Sequence, residues 1–331
     1  MKTIATQNGK IIIAEREKPV LLNGHVLIRT MYSAISPGTE MIFVRKGSEQ
    51  PATLGYNAVG IVDQVGEGVD HIRAGQLVAC YGAPYVHHAE WLAVPANLVA
   101  AVPDHVDPQE AAFAGLGAIA IHALRMADLR FGESVVIVGL GILGNLITQI
   151  AGAAAYRTVG LDVRGDRVAM LQERGFAHMY QDQAVMEARL TDAVGRFGAD
   201  AVLHCASGPG EHLMNSSMKW IRDRGKIVIV GDLTAEFSRE LMFGKEAQVL
   251  ISRAGGPGRY DAQYERENRD YPIGYVRWTE GRNVEEYIRL LAEGRISIKK
   301  LITNVYAIDD AAEAYENYRK PTETIATVIK Y

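Results

Sequence analysis

The rhythm of apolar and polar positions changes near residue 107. Before it, short apolar or alternating runs recur at Val26–Met31, Ala58–Val65, Leu77–Cys80 and Trp91–Val94. Turn residues punctuate them at Pro37-Gly38, Gly66-Glu67-Gly68, Ala74-Gly75 and Pro95. That pattern predicts an all-β, barrel-like region. At Asp107 an N-cap followed by Pro108 at the first helical position predicts a helix, leading into an apolar segment that ends near Arg125. The stretch Ala111–Ala127 is rich in small residues and contains His122, which fits a buried helix with a core histidine better than a membrane span.

Beyond it, strand and helix patterns alternate: strands at 134–138, 158–162, 201–205, 225–230 and 248–252, helices at 142–155 and near 165–174. Such alternation predicts a doubly wound parallel sheet covered on both faces, an α/β domain behind the β domain. Residues 255–282 are polar and aromatic with no clear period. Helices follow at Val284–Leu291 and Asp309–Tyr318, then a strand at Ile325–Ile329 that is best placed back in the first domain. The expected domains are therefore 1–116 with 254–331, and 117–253.

The stretch Ser134–Asp162 carries the clearest chemistry. A valine-rich strand runs into Gly139, Gly141 and Gly144, a helix stripe begins at Ile142 and Leu143, and a second strand ends at Asp162. Gly139 permits the tight turn, Gly141 lets a pyrophosphate approach bare backbone, and Gly144 lets the helix lie close to the strand. The helix N-terminus adds free N–H groups and the positive end of its dipole. An acid about 20 residues on can accept both ribose hydroxyls of an adenosine. Asp162 would repel a ribose 2′-phosphate, so NAD is expected over NADP. Val163, Arg164 and Arg167 follow it, and the two arginines could complex a phosphate. Ser207 and Gly231 lie just past the carboxyl ends of later strands, where the nicotinamide half is expected.

Composition narrows the function classes. A net charge of −4 offers no basic face for nucleic acid or an anionic membrane. Two cysteines, Cys80 and Cys205, exclude a disulfide framework and a cysteine-rich zinc lobe. The first residues are too charged for a signal peptide, so a cytoplasmic enzyme acting on a small molecule is expected.

A β domain, a Rossmann domain and a short C-terminal return resemble the medium-chain dehydrogenase/reductase superfamily. Four stretches carry the likeness: SAISPGTE at 33–40, LGYNAVGIVDQVGEGV at 54–69, GESVVIVGLGILGN at 132–145 and LITNVYAIDDAAEAYE at 301–316. The resemblance implies a GroES-like β-barrel catalytic domain, a Rossmann domain and an oxidoreductase. The 256–285 stretch is similar to a zinc-lacking subgroup that includes the dehydrogenase half of bi-domain oxidoreductases and bacteriochlorophyllide hydroxyethyl dehydrogenases. The family's first zinc ligand falls on Ser36 or Pro37, its Gly-His-Glu becomes Gly55-Tyr56-Asn57, and its third ligand falls near Leu116. No zinc, catalytic or structural, is therefore expected.

Without a metal, hydrogen-bond donors must polarise the reacting oxygen. Tyr56 stands where the zinc-binding histidine would be, either to contact that oxygen or to fill the vacated volume. Thr39 matches the family's proton-relaying hydroxyl, or helps the Pro37-Gly38 bend. Glu40 is a general base or a structural partner for an arginine. His88, and less so His87, is a proton-relay candidate, and at most one of the two adjacent histidines faces the site. Asn57, Arg259, Tyr260, Tyr264 and Arg277 are candidate substrate contacts, since aromatics stack on sugars and arginine grips hydroxyls or anions. The same residues would equally suit an interface. The expected function is NAD-dependent interconversion of a secondary alcohol and a ketone on a sugar, cyclitol or other polyhydroxylated substrate. The alternatives are an NADPH-dependent enone or quinone reductase and a non-catalytic dinucleotide-binding protein. A homodimer through the strand near 248–252 is expected as well.

Overall fold

The computed structural model describes residues 1–319 and 324–331. It divides into two compact units, Met1–Ala118 with Gly255–Tyr331, and Ile119–Ala254. In chain order the first segment contains β1 (Lys2–Gln7), β2 (Lys10–Glu15), β3 (His25–Ala34), α1 (Pro37–Lys46), β4 (Ala52–Thr53) and β5 (Asn57–Val65). It continues with β6 (Leu77–Tyr81), β7 (Trp91–Pro95), β8 (Val99–Ala101) and α2 (Pro108–Ala111). Helix α3 (Ala114–Ala127) begins in the first unit and ends in the second.

The second unit follows with β9 (Ser134–Val138), α4 (Ile142–Ala153), β10 (Arg157–Leu161), α5 (Gly165–Glu173), β11 (Met179–Tyr180) and α6 (Gln183–Val194). After these come β12 (Ala199–His204), α7 (Glu211–Trp220), β13 (Ile221–Ile229), α8 (Arg239–Lys245) and β14 (Gln248–Ile251). The return segment carries α9 (Ala262–Glu265), α10 (Glu280–Ala292), β15 (Ile302–Ala307), α11 (Ala311–Glu316) and β16 (Ala326–Lys330).

The second unit is a six-stranded parallel sheet in the order β11-β10-β9-β12-β13-β14. The chain reverses direction of addition between β9 and β12, the switch point beyond which a dinucleotide crevice forms. Successive residues of β9 serve opposite faces. Val136 and Val138 join a core with Met186 and Leu190 of α6 and Met214 and Met218 of α7, while Ile137 meets α4 at Gly144. Both faces are thus covered, and β14 stands at one edge.

The first unit holds a seven-stranded mixed sheet, β15-β16-β3-β5-β6-β8 with β7 also on β3, and a three-stranded sheet β2-β1-β4. One apolar cluster joins Val26, Ile28, Val62, Val78, Leu92 and Leu98. A second joins Ile4, Ile35, Val44, Leu54, Tyr315 and Ile329, bringing chain start and chain end to one core.

Two expectations are corrected here. Pro37-Gly38 is not a turn: Pro37 starts the ten-residue helix α1, its fixed φ suiting the first helical position. The helix expected from Asp107 to Arg125 is two helices, α2 capped by the Asp107 side chain on the Gln109 amide and then α3. Helices α6 and α7, and α9 within the aperiodic 255–282 stretch, are additions.

Candidate active site

In the second unit, β9 delivers the chain to Gly139, whose φ of +90° makes the turn that a side chain would resist. A Cβ on Gly144 would lie 1.8 Å from the Gly139 carbonyl oxygen, so bare backbone seats α4 against the strand end. Gly141 is the N-cap of α4, and a Cβ there would meet nothing nearer than the Arg167 Nη1 at 3.6 Å. Asp162 directly follows β10 and is 5% exposed. Its carboxylate accepts hydrogen bonds from the Leu140 amide at 2.6 Å and the Arg164 amide at 2.9 Å. Arg167 Nη1 pairs with it at 3.3 Å, while the Arg164 guanidinium is held by Asp166 at 2.6 Å. Ile142 is buried, Leu143 is half-buried and Val163 is exposed. Ser207 is exposed beyond β12, and Gly231 presses against the Ala206 backbone beyond β13. Open glycine backbone at a helix N-terminus, an acid and a nearby arginine together fit a dinucleotide.

Sequence reasoning passed over His204, the last residue of β12. It is fully buried, its Nε2 meets Ser217 Oγ at 2.9 Å, and Nδ1 has no partner among the described residues. Burial lowers its pKa to about 4, so it is neutral near pH 7. A lone polar position in an apolar strand was the available signal.

In the first unit, Tyr56 sits just before β5, half-buried, with its ring edge-on to Tyr81 at 5.9 Å. Its hydroxyl donates to Ser36 Oγ at 2.5 Å. Burial raises its pKa to about 12, and the phenol keeps its proton at neutral pH. Asn57 follows, fully buried, and neither side-chain amide atom meets a partner among the described residues.

Thr39 is exposed in the first turn of α1, but the next residue, Glu40, is 2% exposed. The expected arginine partner of Glu40 is replaced by other donors, because α1 turns its carboxylate into the core. Oε1 accepts the Ser36 amide at 2.7 Å, and Oε2 meets His88 Nε2 at 3.0 Å and the Tyr315 hydroxyl. His88 is fully buried, and its Nδ1 meets Ser33 Oγ at 2.6 Å, which in turn meets the Tyr331 hydroxyl at 2.8 Å. His87 is half-buried, with burial lowering its pKa to about 4. His122, expected in the core, is only half-buried on α3.

The remaining candidates lie in the return segment. Arg259 binds Glu265 and the Ala83 carbonyl, the latter at 2.7 Å, and stacks on the exposed Tyr260 ring at 4.2 Å. Tyr264 is in the core: it stacks on Tyr271 at 5.5 Å and its hydroxyl donates to Thr279 Oγ1 at 2.8 Å. Arg277 lies exposed over the Trp278 ring at 3.9 Å. Glu280, another residue the pattern did not single out, is fully buried. Burial, then the neighbouring Glu265 carboxylate, pushes its pKa up to about 9, against the pull of Arg259.

The positions that would hold zinc carry an alcohol (Ser36), a phenol (Tyr56), a carboxamide (Asn57) and an alkyl group (Leu116). Ser36 Oγ is already engaged by Tyr56. Burial pushes both thiols up, Cys205 to about 12 and Cys80 further, so neither supplies a thiolate. Among the described residues no group of three or more His, Cys, Asp or Glu comes together. This donor set does not fit tetrahedral zinc. No described helix is long and apolar enough to cross a membrane.

Comparison with known proteins places these parts. Residues 22–120 match the family described as alcohol dehydrogenase GroES-like domain, and 139–266 match the one described as zinc-binding dehydrogenase. The chain is 27% identical to L-galactonate-5-dehydrogenase of Escherichia coli, over 95% of this chain and 93% of that one. It is 22% identical to sorbitol dehydrogenase 1 of Saccharomyces cerevisiae, over 97% and 95% of the two chains. The crystal structure of galactitol-1-phosphate dehydrogenase from Escherichia coli superposes with a TM-score of 0.81 at 20% identity, covering all of both chains.

Proposed function

Because the chain belongs to the medium-chain, zinc-type alcohol dehydrogenase-like superfamily, we propose that it is an NAD-dependent oxidoreductase that interconverts a secondary alcohol and a ketone on a sugar alcohol or sugar acid without a catalytic zinc. The observation that carries the substrate class is the match to L-galactonate-5-dehydrogenase along 95% of this chain. Sorbitol dehydrogenase 1 belongs to the same chemical class of relative. The donor chemistry of Ser36, Tyr56, Asn57 and Leu116 supports the zinc-free half of the reading.

The nicotinamide dinucleotide, when bound, accepts or supplies the hydride. Gly139, Gly141 and Gly144 with the start of α4 hold its pyrophosphate, and Asp162 takes the ribose hydroxyls, which favours NAD over NADP. In ketone reduction the Tyr56 hydroxyl would turn from Ser36 Oγ to the reacting oxygen and give it its proton, stabilising the charge that develops there. Ser36, which accepts from Tyr56 at rest, would then reprotonate it with a proton brought from solvent by Thr39, and alcohol oxidation would run the same relay backwards. The exposed Tyr260 ring, held against the Arg259 guanidinium, offers a stacking face for a polyhydroxylated substrate. We propose further that the β14 edges of two copies pair in a twofold dimer; a monomer in light scattering would exclude it.

The test is NADH formation with sorbitol, xylitol and L-galactonate, with NADP⁺ run in parallel, for the native protein and Tyr56→Phe. Turnover with NAD⁺ that falls about 100-fold in Tyr56→Phe is expected, the size of a lost transition-state donor. Reduction of enones with NADPH and no polyol turnover would replace this reading.

A further inference from the structure

A buried carboxylate beside a buried imidazole invites a catalytic role, but neither Glu40 nor His88 reaches solvent. Their contacts instead converge on the Tyr56–Ser36 hydroxyl pair from both sides. From one side, Glu40 Oε1 accepts the amide of Ser36 at 2.7 Å, fixing the residue whose hydroxyl receives the Tyr56 proton. From the other, Gly55, the residue before Tyr56, lies against the imidazole so closely that a Cβ would stand 2.6 Å from His88 Cδ2. The backbone amide of His88 also donates to the Leu54 carbonyl at 2.8 Å.

With the His88 proton placed on Nε2, every donor along this run has an acceptor. Tyr331 then donates to Ser33, Ser33 donates to His88 Nδ1, and His88 Nε2, Tyr315 and the Ser36 amide all donate to Glu40. In that arrangement the run ends on one carboxylate. Buried contacts made from several elements at once hold the groups beside them in place, as a supporting shell does behind a reacting group.

Resting on the reading of Tyr56 given above, we infer that Glu40 and His88 are positioning residues, a buried pair that sets the angle and reach of the Tyr56 hydroxyl and takes no part in proton exchange with the substrate. Such a pair acts on the turnover rate through Tyr56 and leaves the coenzyme unit untouched.

The experiment is a double-mutant cycle on kcat with sorbitol and L-galactonate as probes, alongside NADH affinity by fluorescence. Glu40→Gln is expected to lower kcat about 10- to 100-fold, with KM and NADH affinity changed less than about threefold. In a Tyr56→Phe background the same substitution is expected to change kcat less than about twofold, because the group it positions is gone. Tyr315→Phe, which removes one donor to Glu40, repeats the pattern at smaller size should Glu40→Gln not fold. A full Glu40→Gln effect persisting in Tyr56→Phe overturns the inference, as does no effect in the native background. Native turnover in Tyr56→Phe alone, or no turnover of either probe by the native protein, overturns the reading of Tyr56 and the inference with it.

Discussion

The two units build their chemistry by opposite means. In the dinucleotide unit the decisive positions are those without side chains. Gly144 leaves room for the Gly139 carbonyl, Gly141 leaves backbone open, and Asp162 holds the loop by accepting the Leu140 amide. In the other unit the decisive positions are side chains gathered from far apart: Glu40 meets His88 across 48 residues and Tyr315 across 275. A site of absences tolerates no addition, whereas a site of paired groups tolerates no subtraction. The reason is that steric overlap and an unpartnered buried polar group are both strongly unfavourable.

The largest expected effect falls in the dinucleotide unit. Gly144→Ala places a methyl carbon on the Gly139 carbonyl and is expected to destabilise the dinucleotide unit by about 3 kcal/mol, read as a lower melting temperature and lost NADH binding. Gly141→Ala meets open space and a compatible φ of −62°, so the melting temperature is expected to stay while NADH affinity falls about tenfold or more. Equal melting losses in the two variants would break the contrast.

Subtraction comes next. His88→Leu removes one of three partners of the buried Glu40 carboxylate and one of two of the Ser33 hydroxyl, and is expected to lower stability by about 2 kcal/mol, seen in denaturant unfolding. A neutral result would mean that the pair is dispensable for the fold.

The smallest effects concern pH, where the units differ in sign. Glu280 has its folded pKa raised to about 9, so its contribution is complete below its unfolded value near 4.5 and is lost as pH rises towards 9. Glu280→Gln should flatten that alkaline loss. His204 has its folded pKa lowered to about 4, so its contribution is complete above about 6.5 and is lost as pH falls towards 4. Melting curves across pH for His204→Asn should show a shallower acid limb, and an unchanged limb would place the acid sensitivity elsewhere.

The same contrast governs what the chain discloses on reading. The glycine fingerprint, its strand, its helix and Asp162 lie within one short span, so local pattern gives the βαβ unit and its acid. The partners of Glu40 do not, because nothing local ties residue 40 to 88 or 315. Helix α1 was hidden for a related reason: its buried face includes a carboxylate, which interrupts the apolar stripe. Helix α7 buries Ser216 and Ser217 beside Met214 and Met218, and α6 buries a stripe half made of small or modest side chains. The aromatic 256–278 stretch reads equally as a ligand surface or an interface, yet Tyr264 lies in the core through stacking and a hydrogen bond to Thr279. Aromatic composition alone does not separate these fates.

We propose that the Tyr56–Ser36 pair takes the place of a catalytic zinc. The most direct test is polyol-dependent NADH formation by protein dialysed against a strong chelator, with bound metal counted by elemental analysis. Unchanged turnover with less than about a tenth of a zinc ion per chain is expected, given that the donor set present lacks thiolate and imidazole. Turnover abolished by the chelator and restored by added Zn²⁺ would contradict it.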